Sequence, residues 1–146
     1  MEASNFILKQ QKLARLWFLL SGLLLIIMLV QILSGKYSNY YLDAGSWFSQ
    51  TVIPTLSVIT TALVYTNIKR EKFINRKVDE FYYKAVRNIS IFYFLLIFLI
   101  IAMQSTAYKT IGLNGLELLQ TSSFFLGLLQ GLLNAFIGIF FIKSED

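Results

Sequence analysis

An all-α integral membrane protein with four transmembrane helices is the fold class this 146-residue chain predicts, on three observations. Hydrophobic residues make up 56% of it and charged residues only 14%, against roughly a quarter charged in soluble domains. The apolar residues gather into four blocks, each long enough to cross a bilayer. The basic residues collect in alternate connecting segments. Together these features exclude a soluble enzyme and a disordered chain.

The four spans cover about 16–34, 47–66, 89–108 and 117–142, in a single domain made of the whole chain. About 20 residues at 1.5 Å each cross a hydrocarbon core of about 30 Å, so each block spans once as a helix. The first block is longer than a signal-peptide core and no A-x-A site follows it, so it reads as an uncleaved span. The fourth is the longest and is expected to tilt or project. The third is almost entirely Ile, Leu and Phe, and on composition it should be the helix most exposed to lipid. Pro54 in the second span leaves the Gln50 carbonyl without its usual donor, which predicts a kink and an acceptor for Thr or a neighbouring helix to satisfy.

Orientation follows from charge. Lys9, Lys12 and Arg15 precede the first span, Lys69, Arg70, Lys72, Arg76, Lys77, Lys84 and Arg87 lie between the second and third, and Lys143 follows the fourth. Only Lys36 and Lys109 occupy the opposite loops. The positive-inside rule places both termini and segment 67–88 in the cytoplasm. The net charge of +5 is accounted for by anionic lipid heads, and no nucleic-acid partner is called for.

The segments between spans carry their own patterns. Ile74, Val78, Phe81 and Ala85 share one helical face in 67–88, with Arg76–Glu80 and Glu80–Lys84 at i,i+4 spacing. This predicts a helical cytoplasmic hairpin reversing near 74–79. Its charged residues Lys69, Arg70, Lys72, Arg76, Lys77, Glu80, Lys84 and Arg87 form either a solvated face of a self-packed hairpin or a surface for a cytoplasmic effector protein. Residues 6–17 read as a short interfacial helix entering the first span. Tyr37, Tyr40, Tyr41 and Trp47 read as an aromatic belt, with Asp43 or Ser46 capping the second span. Asn114 and Glu117 have capping-box spacing at the start of the fourth. Asn88-Ile-Ser90 matches a glycosylation triplet on the wrong side of the membrane.

No Asp, Glu, Lys or Arg lies well inside a span, which argues against ion-coupled transport. The chain has no cysteine and no histidine, so thiol, Cys/His-metal and histidine acid–base chemistry are excluded and no cofactor is expected. What the fourth span does hold is a neutral polar stripe: Gln120, Ser123, Gly127, Gln130 and Asn134 fall within about 80° of one another on a helix. Gly127 and Gly131 add a G-x-x-x-G spacing. Either the stripe packs helices together, with Gln130 and Asn134 bonding across an interface, or it lines a water-filled path at the centre of an oligomer. A homo-oligomer, tetramer or dimer, would bury such a face.

Residues 49–70, from Ser49-Gln-Thr-Val-Ile-Pro54 to Ile68-Lys-Arg70, with the tyrosine-containing turn that follows, are similar to the corresponding part of the RexB prophage exclusion proteins. The four-span plan also resembles the KwaA membrane subunits of Kiwa. The resemblance implies a homo-oligomeric protein of the bacterial inner membrane serving in phage defence. A RexB-like protein would open an ion path, as an ion channel, and a KwaA-like one would relay a membrane signal to a cytoplasmic effector. The other reading is a small membrane carrier or an accessory subunit of a transporter, with contacts at Gln120, Gln130, Asn134 and Tyr65. An enzyme is not expected.

Overall fold

The computed structural model describes residues 5–74, 76 and 80–142. The chain forms α1 (Asn5–Leu33), a 3-10 turn (Ser38–Tyr40), α2 (Tyr41–Ile68), α3 (Arg70–Phe73), α4 (Glu80–Met103), α5 (Ala107–Ile111) and α6 (Gly115–Ile142). Four of these, α1, α2, α4 and α6, are long and apolar enough to cross a membrane, and the chain reads as a multi-pass membrane protein. Their neighbours run α1–α2–α6–α4 around a bundle, with α6 packed against both α2 and α4.

Each long helix buries a narrow inner stripe and leaves broad apolar faces outside. Leu24, Val52, Ile59, Ile97, Leu119, Leu133 and Ile137 are fully buried, while Leu19, Leu95, Phe124 and Leu128 are exposed. Water would reject the outer faces, but lipid tails accept them, since they are as apolar as leucine. The same equivalence hides which helix lies innermost. Of the apolar span in α4, 33% is buried, the largest share of the four, and of that in α1 22%, the smallest. Expecting the Ile/Leu/Phe-rich third span to face lipid most was therefore incorrect. An apolar side chain suits lipid and core alike, and α4 buries Val86, Tyr93, Phe94, Ile97 and Ile101 against its neighbours.

The ends of the helices are set by local chemistry. Gly35, at a left-handed φ of +75°, follows α1 as Lys36 N–H donates to Gln31 O and Gly35 N–H to Ile32 O. This is the double bond pattern of a glycine-terminated helix, and a Cβ at that φ would be strained. At the start of α6, Asn114 N–H donates to Glu117 Oε2 at 2.8 Å and Glu117 N–H to Asn114 Oδ1 at 2.9 Å, so this capping box is formed. Neither Asp43 nor Ser46 caps α2, because the helix begins earlier, at Tyr41.

Residues 6–17 enter the first span as expected, as part of one helix that buries Phe6, Leu13 and Trp17 in the bundle. Two other expectations change. The aromatic belt is partial, because Tyr40 and Tyr41 are exposed but Tyr37 and Trp47 are buried. Between α2 and α4 the helix breaks at Lys69, α3 lasts four residues, and Arg76 is not helical. The face through Ile74, Phe81 and Ala85 is thus not one helical stripe, and Phe81 is 69% exposed. Val78 and Lys77 lie outside the described residues.

Candidate functional site

The stripe on α6 divides into two parts that face different surroundings. Gln130 turns inward and is buried. Its Nε2 donates to the backbone carbonyl of Thr51 at 2.9 Å and lies 3.3 Å from Thr55 Oγ1. The same carbonyl accepts the Tyr93 hydroxyl at 2.8 Å. One oxygen of α2 therefore receives donors from both α6 and α4. Nearby, Trp17 Nε1 donates to Ser90 Oγ at 3.0 Å, and the Trp17 ring stacks on Tyr93 at 6.1 Å. All four long helices meet through this set of neutral groups.

Pro54 lies one turn away. It withholds a donor from the Gln50 carbonyl, yet the side-chain donors arrive at Thr51. Gln50 sits on the exposed face of α2 and Thr51 on the buried one, so only Thr51 is within reach of α4 and α6. Thr51 Oγ1 is itself committed to the carbonyls of Trp47 and Phe48.

The rest of the stripe is not drawn into the bundle. Gln120, Gly127 and Gly131 are exposed, and Ser123 and Asn134 sit at the border. Ser123 Oγ donates to its own helix at Leu119 O, and Asn134 Oδ1 is buried without a hydrogen-bond partner. A Cβ added at Gly127, Gly131 or Gly138 would meet nothing within 4 Å. The glycines therefore do not serve close packing inside this bundle, and they open its outer surface. Beside them a shallow groove of about 510 Å³ runs between α2 and α6, lined by Ser57, Thr61, Ala62, Tyr65 and Gly138.

The charged candidates near the α2–α4 connection also separate. Lys69, Arg70, Lys72, Lys84 and Arg87 are exposed. Glu80 pairs with the buried Lys9 of α1, and not with Arg76 or Lys84 as their spacing suggested. Arg76 is half-buried, donates to Phe141 O at 3.1 Å, and lies over the rings of Phe6 at 4.5 Å and Phe73 at 5.3 Å. The Arg76–Glu80 reading fails because Arg76 is not helical, and the carbonyls at the end of α6 attract its cation. Lys77 lies outside the described residues.

Chemically, the central node holds helices together. Its donors and acceptors are amide, hydroxyl and carbonyl groups, and none carries charge. Among the described residues no three Asp or Glu side chains gather where they could hold a metal ion. Sequence reasoning missed Tyr93, although Ser90 and Tyr93 stand three residues apart in an otherwise apolar run and so share a face. The chain matches no protein-family model, no curated protein and no solved structure.

Proposed function

We propose that the protein is a non-enzymatic inner-membrane subunit of a bacterial anti-phage defence system, which self-associates and relays a membrane signal to a cytoplasmic effector. The defence context rests on the likeness of residues 49–70 to prophage exclusion proteins. The choice of relay over ion path rests on Gln130. This glutamine of the stripe turns into the bundle and donates to the Thr51 carbonyl, which takes one of the stripe's two longest polar side chains away from a water-filled path.

Two surfaces support the remainder of the reading. The open glycines of α6, with Ala135 also exposed between them, match the small-residue faces through which membrane helices approach one another. On the side placed in the cytoplasm by the positive-inside rule, Lys72, Lys84 and Arg87 are exposed and available to an acidic partner. Changing these three to Glu in the full chain should abolish protection against phage while leaving the level of membrane-inserted protein unchanged. Full protection in that variant would overturn the relay.

A further inference from the structure

At the end of the bundle opposite Arg76, a cleft of about 640 Å³ opens between the start of α2, the end of α4 and the start of α6. That volume is in the range of small-ligand sites. Three charged side chains line it: Lys36, Asp43 and Glu117. No ion pair joins them, since the one among the described residues is Lys9–Glu80. Glu117 Oε2 accepts only the backbone N–H of its own capping box.

The floor of the cleft includes Gln104, which is 6% exposed. The Tyr37 hydroxyl lies 2.7 Å from Gln31 Oε1 and 3.0 Å from Gln104 Oε1, while Gln104 Nε2 is buried with no acceptor. One hydroxyl proton serves one acceptor at a time. If the Gln104 amide is turned over so that its NH2 donates to Tyr37, its oxygen is orphaned instead. Either way this buried amide keeps one atom without a partner, and such an atom is costly unless something polar reaches it.

An unpaired cation, two carboxylates outside any ion pair and an incomplete buried amide share one cleft. We infer that the cleft binds a phosphoethanolamine-type zwitterion, with the phosphate toward Lys36 and the primary ammonium toward Asp43 and Glu117. The cleft lies at the end of spanning helices, where lipid headgroups sit, and Leu33 at the end of α1 and Leu42 next to Asp43 in the chain are exposed, as contacts with acyl chains would require. The same chemistry could come from a phosphatidylethanolamine lipid or from free phosphoethanolamine. The inference is independent of the relay proposed above, which could fail while this site stands.

The test uses the purified full chain with added phosphatidylethanolamine, phosphatidylcholine or phosphatidylglycerol, and separately with soluble phosphoethanolamine, read by native mass spectrometry and by thermal melting. Retention of phosphatidylethanolamine over the other two lipids is expected, because phosphatidylcholine lacks ammonium N–H donors and phosphatidylglycerol lacks the cation. The double variant Asp43→Asn, Glu117→Gln keeps the helix-cap acceptor, since Gln serves in a capping box, and should lose that preference by about fivefold or more. Stabilisation by soluble phosphoethanolamine would identify the headgroup alone as sufficient, and stabilisation by the lipid only would show that the chains contribute. Equal retention of all three lipids, or an unchanged preference in a double variant that melts like the parent, would overturn the site.

Discussion

Gln130 of α6 and Tyr93 of α4 donate to the same oxygen, the backbone carbonyl of Thr51 in α2. A carbonyl has two lone pairs, so both donors can be held at once, and neither alone fixes all three helices. Interhelical bonds of this kind are worth about 0.6 kcal/mol on average and at most about 1.7 in membranes. Gln130→Leu and Tyr93→Phe should each destabilise the bundle by about 1 kcal/mol. The double variant should cost more than the sum if the remaining donor strengthens its bond when alone, and about the sum if the two bonds are independent. Unfolding of the three variants in mixed micelles decides between these outcomes.

The open glycines lead to a different expectation. Gly131 is exposed and a Cβ there meets no atom within 4 Å, so the Gly131→Leu monomer should fold and melt as before. Oligomer mass, measured in a mild detergent, should fall to that of the monomer. A Gly131→Leu protein that keeps its parent mass would remove this face from any account of assembly.

Arg76 binds the end of α6 to the segment between α2 and α4. Arg76→Ala should cost about 2 kcal/mol, through loss of a cation over two rings and of a donor to Phe141 O. Arg76→Lys should recover little, because an ammonium lacks the planar stacking surface. Hydrogen exchange at residues 70–74 and at the end of α6 would register both changes.

Burial raises the Tyr37 phenol above its ordinary value. The folded state thus favours the neutral phenol. The stability this gives is fully present below the ordinary tyrosine pKa of about 10 and is lost as pH rises through the higher folded value. Melting followed from pH 8 to 11 should fall more steeply in the parent than in Tyr37→Phe. Parallel curves would count against the linkage.

The number of long apolar helices was legible in the sequence because each block is long and nearly free of charge. The Asn114–Glu117 cap was legible for a similar reason, since its two bonds depend on residues three apart. The inside of the bundle was not. Periodicity put Gln130 and Gly127 on one stripe, but α6 places the edge of the bundle along that stripe, so neighbours about 60° apart on the helix meet core and surroundings respectively. Glu80 could not be matched with Lys9 from spacing alone, because the two are 71 residues apart. The buried Tyr37 looked like a belt residue, and only the fold brings Gln31 and Gln104 to its hydroxyl.

The central claim of the proposed relay is that Gln130 binds the helices to one another and that the polar face of α6 lines no ion path. Conductance of the purified oligomer in planar bilayers, parent beside Gln130→Leu, tests it most directly. A defined oligomer with no unitary current in either protein is the predicted result. Steady unitary currents in the parent that vanish in Gln130→Leu would contradict the account and make Gln130 a pore residue.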